Sequence, residues 1–187
     1  MATPLRIGIL SYRSDPHVGG QGIYVRYLSK ALVDAGHTVT IISGPPYPKL
    51  DEGVKLVELP SLDLYAQPKN GLYSLRWKHW RSFTAVYEYF AHHSGKFVEP
   101  YTFGRRARKY LKSHAGNYDV ILDNQSLAKD LLKLKKYGLP LVSVIHHPIT
   151  RDRRFALETA KNRGHAWLIK RWYSFLNMQI KVARKQK

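Results

Sequence analysis

The chain has 187 residues, no cysteine and a formal net charge of +18. That length suits one domain with a substantial core, and the missing thiols exclude disulfides and thiolate metal sites. No apolar run is long enough to span a membrane, and the first residues lead into a strand-like segment rather than a signal peptide, so a cytoplasmic protein, soluble or peripheral at the inner face of the membrane, is expected.

In chain order, Arg6–Ser11 is a short apolar run and reads as a buried strand. Ser14-Asp15-Pro16 breaks it. Gly19, Gly20 and Gly22 then open a stretch with helical spacing (Ile23, Tyr27, Leu28, Ala31, Leu32, Ala35), which predicts a helix over 21–35 stopped by Gly36. A strand follows over 38–43. The glycines therefore lie between a strand and a helix N-terminus, where free N–H groups and the helix dipole favour an oxyanion. The fingerprint G-x-G-x-x-G is not completed, because position 25 is Val, and no Gly-Lys-Ser/Thr of a P-loop follows. The plainer alternative is that the glycines only make a tight turn and allow close helix packing.

After the Pro-rich turn Gly44–Pro48, a strand is expected over 54–59, an irregular stretch over 60–71 and a helix over 73–91. In that last segment Tyr73, Trp77, Trp80, Phe83, Tyr87 and Phe90 recur mostly three or four apart, with Arg76, Lys78, His79 and Arg81 among them. A stripe facing the core is the commoner meaning of such spacing; aromatics flanked by cations also suit an anionic membrane interface. A helix over about 101–113, a strand over 119–123, a helix over 126–137 and a strand over 141–146 follow. Alternating strands and helices predict an α/β, Rossmann-like parallel sheet with helices on both faces.

The break in composition comes after Thr150, giving a sheet domain over 1–150 and a basic helical extension over 151–187. The extension holds eleven Lys/Arg against Asp152 and Glu158, half of the net charge. Arg105, Arg106, Arg108, Lys109 and Lys112 form a second cluster. Such patches bind polyanions or are simply solvated.

His146 ends the apolar strand LVSVIH, and in an open parallel sheet ligands bind beyond the carboxyl ends of strands. It would face the same cleft as the glycine loop. Asp123-Asn124-Gln125 ends the neighbouring strand as a polar lip or as a turn cap. The adjacent pairs His92-His93 and His146-His147 lack the spacing of helical zinc ligands, so no metal site is expected.

Pro16–Gly22, Tyr24-Val25 and Leu28…Leu32…Gly36-His37 resemble the opening of retaining GT-B glycosyltransferases of family 4. Tyr118–Gln125 resembles a segment of that family often reading D-V-V-H-D-N-Q, with Leu122 here in place of His, and Pro140–Thr150 resembles its strand ending in His. The resemblance implies one half of a GT-B fold, the N-terminal, acceptor-side domain, extended by basic C-terminal helices. It implies transfer of a sugar from a nucleotide diphosphate sugar, with retention, and no cofactor beyond that donor. Gly19, Gly20 and Gly22 would approach the donor phosphates and His146 the transferred sugar as the catalytic contact. His17, Gln21, Tyr24, Asp123, Asn124 and Gln125 would line the acceptor side. The acceptor would be a glycan or a lipid.

The donor-binding half, with its E-x7-E segment, is not found in these residues; a truncated chain or a donor-binding domain supplied in trans both fit, and the chain alone would be nearly inactive. The alternative is a non-catalytic basic module binding an anionic membrane or nucleic acid, the latter a partner that the enzyme reading disfavours.

Overall fold

The computed structural model describes residues 3–15, 20–66, 71 and 73–186. Its centre is one five-stranded parallel sheet built from β1 (Arg6–Ser11), β2 (Thr38–Ser43), β3 (Lys55–Glu58), β4 (Val120–Asn124) and β5 (Leu141–Val144). The spatial order is β3-β2-β1-β4-β5. Ile9 stands beside Ile41 on one side and Leu122 on the other. The order reverses at β1, whose two neighbours are β2 and β4. That point is where an open α/β sheet forms its ligand crevice.

Alternation along the strands separates two cores. Ile7, Ile9, Val39 and Ile41 face helix α1 (Gly20–Asp34) through Val25 and Leu28. Leu10, Ile42 and Ile121 face the other way, against Phe103, Ala107 and Leu111 of α3 (Glu99–His114) and Leu131 and Leu134 of a 3-10 helix over Lys129–Tyr137. The expected α/β parallel sheet covered on both faces is thus present.

Three elements depart from the sequence expectation. The helix expected over 73–91 is a short 3-10 turn (Trp77–Arg81) followed by α2 (Phe83–His93). Ser82 divides them: its Oγ accepts from the Ala85 N–H at 3.3 Å and caps α2. The segment after β4 becomes helical only at Lys129, because Asp123 holds Ser126 and Leu127 in a turn. β5 ends at Val144, short of His146.

The aromatic stripe does not face the core. α2 docks through Ala85, Glu88 and Ala91, with Tyr89 packed beside them, while Phe83 and Phe90 point outward. The cation cluster on α3 is largely engaged within the fold: Arg106 pairs with buried Glu88, Arg108 lies 3.0 Å from Asp130, and Arg105 meets Thr84 and Tyr101.

Beyond β5 the chain forms α4 (Ile149–Glu158), α5 (Arg163–Trp172) and α6 (Leu176–Ala183). These helices fold back on the sheet domain. Trp172 and Phe175 join a ring cluster with Phe97 and Tyr65, and Arg171 donates to the Ser94 carbonyl. Among the described residues, no helix is long and apolar enough to cross a membrane.

Candidate active site at the switch point

Helix α1 starts at the carboxyl end of β1, so its N-terminal amides open onto the crevice between β1 and β4. Two of its glycines have different reasons to be glycine. A Cβ on Gly22 would lie 2.2 Å from the Asp15 carbonyl oxygen, so close backbone approach requires the residue. Among the described residues, a Cβ on Gly20 would meet nothing within 4 Å, and its backbone is not left-handed. Packing explains Gly22, whereas Gly20, at the helix N-terminus, has no such neighbour among the described residues. His17 and Gly19 lie outside the described residues.

Tyr24, one turn further along α1, sets its ring edge-to-face on the His146 imidazole with centroids 4.5 Å apart. Helix α1 and His146, two residues past β5, therefore meet through Tyr24. His146 is exposed but bonded: its Nε2 and the Oδ1 of Asn124 share a short hydrogen bond. Burial beneath, then the charge of neighbouring His147, pulls its pKa below the usual histidine value, which favours the neutral ring at neutral pH.

The D-N-Q segment is enclosed rather than exposed. Asp123 is fully buried and accepts from the N–H groups of Ser126 (3.2 Å) and Leu127 (2.7 Å), from the Ser126 hydroxyl and from Ser143 Oγ (3.5 Å). Burial raises its pKa and these donors oppose the rise. They hold Gln125 and Leu127 at φ of 59° and 44°, a conformation costing about 1–2 kcal/mol for a residue with a side chain.

Gln125 works as a staple. Its Oε1 accepts from the His146 N–H at 2.9 Å and its Nε2 donates to the His147 carbonyl at 3.0 Å. Gln179 on α6 holds the turn from behind, donating to the carbonyls of Gln125 and Ser126, each at 3.1 Å. Asn124 is wholly buried, and its Nδ2 has no partner among the described residues. In this structure, then, Asp123 and Gln125 spend their polar atoms within the chain, and Asn124 and Gln125 position His146 from below.

On the other side, Gln21 bonds the hydroxyl of Tyr12, whose pKa is pushed up to about 12 mainly by burial. Arg13, just past β1, lies 3.2 Å from Glu99 at the start of α3. Asp119 pairs with Arg6 at the opposite end of the sheet, whereas Asp123 lies at the crevice end of β4 but is buried there. Among the described residues no three His, Cys, Asp or Glu side chains group as metal ligands.

Comparison with known proteins identifies the family. The model of Glycosyltransferase Family 4 matches residues 18–180. An MMP alpha-(1->4)-mannosyltransferase of Mycolicibacterium hassiacum is 44% identical over 185 residues, covering 96% of this chain and 44% of that protein. The chain belongs to glycosyltransferase family 4. It spans less than half the length of that curated relative. Among solved structures, the calicheamicin glycosyltransferase CalG4 aligns over 98% of this chain and 46% of its own, with 14% identity and a TM-score of 0.47.

Within this family-4 chain, the fold brings together Gly20, Gly22, Gln21, Tyr24, Asn124 and His146, all singled out in the sequence. Ser126, Ser143, Gln179 and the Arg13–Glu99 pair were not. Ser126 had a local signal, a hydroxyl three residues after an Asp that closes a turn. Gln179, 54 residues from Gln125, had none.

Proposed function

We propose that this chain is the acceptor-side half of a retaining glycosyltransferase that moves a sugar from a nucleotide diphosphate sugar to an acceptor hydroxyl. The donor-binding half belongs to a longer chain or a partner. The observation that carries the reading is Gly20: a glycine that neither packing among the described residues nor a left-handed backbone demands, at a helix N-terminus, one turn from the residue that touches His146. An oxyanion there would meet α1 amides and the positive end of its dipole. His146, neutral at working pH, would hydrogen-bond a hydroxyl of the transferred sugar while Tyr24, Asn124 and Gln125 fix its position. Gln21 and the exposed face of Tyr24 would border the acceptor. The name of the M. hassiacum relative makes mannose the first sugar to test.

The test uses the chain joined to a nucleotide-sugar-binding half. Gly20→Trp fills the space an anion would occupy, and His146→Ala removes the sugar contact. Each should lower kcat/KM by about a hundredfold or more while the melting temperature stays that of the parent. Undiminished transfer by both variants would remove the site assignment.

A further inference from the structure

The outward rings of the 73–90 segment have no role in the core or in the crevice chemistry. Trp77 is 89% exposed, Tyr73 78%, Phe83 65%, Phe90 56% and Trp80 55%. α2 is anchored by small residues instead, with Ala85 and Ala91 buried. The rings also hold one another. Trp80 meets Phe90 edge-on at 6.5 Å, Phe83 stacks on Tyr87 at 6.2 Å, and the guanidinium of Arg105 lies 5.1 Å from the centre of Phe83 and 5.9 Å from that of Tyr101. An apolar surface of this kind on a water-soluble face marks an interaction site.

Its surroundings select the partner. Arg76, Lys78 and Arg81 are exposed between the rings. Glu88 is the sole carboxylate from Gly71 to Val98 in the sequence, and it is buried against Arg106. The same stretch has no Asn or Gln, the planar groups that bond sugar hydroxyls beside an aromatic platform, which argues against a neutral glycan. A basic protein partner or an anionic protein groove would not need so many solvent-facing rings on a convex helix. Rings that enter the boundary between headgroups and acyl chains, with cations at the level of the phosphates, match this arrangement.

We propose that the face formed by Tyr73–Arg81 and the outer side of α2 docks onto an anionic lipid bilayer, with Trp77 and Trp80 inserted and Arg76, Lys78 and Arg81 against the headgroups. The proposal is independent of the crevice and of the transfer reaction. It places a glycosyltransferase-family chain beside a membrane without requiring that the acceptor be a lipid.

Sedimentation of the 187-residue chain with vesicles tests it. Phosphatidylcholine vesicles containing about 30% phosphatidylglycerol should bind the chain at least tenfold more tightly than pure phosphatidylcholine. Trp77→Ala with Trp80→Ala should weaken that binding about tenfold or more. Arg76→Gln with Lys78→Gln should weaken it roughly fivefold per charge, and circular dichroism should show both doubles melting with the parent. Brominated lipid should quench parent tryptophan fluorescence and leave the double Trp variant unquenched. Binding that survives loss of both tryptophans would overturn the proposal, as would equal binding to neutral vesicles. So would a single-stranded oligonucleotide that binds through the same rings more tightly than the vesicles do.

Discussion

Glu99 illustrates how one buried side chain sets a property of the whole fold. Burial pushes its carboxyl up to about 7, and the neighbouring Arg13 only partly opposes this. The usual effect of a paired carboxylate is therefore reversed. From about pH 4.5, where the unfolded chain loses this proton, to about 7, the native state keeps it. Stability falls through that window and the loss is complete above it. Glu99→Gln should remove a decline of about 3 kcal/mol. Urea unfolding of parent and variant at acid and alkaline ends of the window checks this: the difference between them should shift toward the variant as pH rises, and a constant difference would contradict it. His146 belongs to the same scale. Its place close to the end of β5 was readable from an apolar run leading to His, although the strand stops at Val144; its partner Asn124 was not readable, because side chains of adjacent residues on one strand point to opposite faces and only the turn after β4 shows which one meets the imidazole.

At the scale of elements, the glycine turn yields a paired prediction. Gly22→Ala forces a methyl against the Asp15 carbonyl and should cost about 2–4 kcal/mol, since backbone rather than a flexible side chain must move. Gly20→Ala meets open space and should be neutral or stabilise by up to about 1 kcal/mol through helix propensity. Thermal melts of the two variants decide it; equal losses would mean both glycines are packing residues. The strands β1, β2 and β4 were legible because buried parallel strands are continuous apolar runs. The helix over 73–91 was not, because ring spacing gives a helical period without saying which face is buried. Ser82 and the small residues Ala85 and Ala91 were the missed signals. In the segment after β4, helical spacing was outweighed by a buried carboxylate that captured the first two amides.

For the molecule as a whole, composition located the basic C-terminal helices but not their packing. Gln179 and Trp172 tie residues beyond 150 to the sheet through partners far away in sequence, which periodicity does not reveal. Those contacts make α6 part of the support behind the D-N-Q turn and, through Gln125, of the backbone at His146. The net charge of +18 also means that any anion will be drawn to the chain, so attraction alone says little about the crevice. What matters is where an anion comes to rest. The most direct measurement is an amide-resolved NMR titration of the 15N-labelled chain, joined to an unlabelled nucleotide-sugar-binding half, with a nucleoside diphosphate sugar at an ionic strength that screens the surface charge. The account predicts saturable shifts at Gly20, Gln21, Tyr24 and His146, lost in Gly20→Trp. Shifts confined to the basic helices beyond Ile149, with the α1 N-terminus silent, would contradict it.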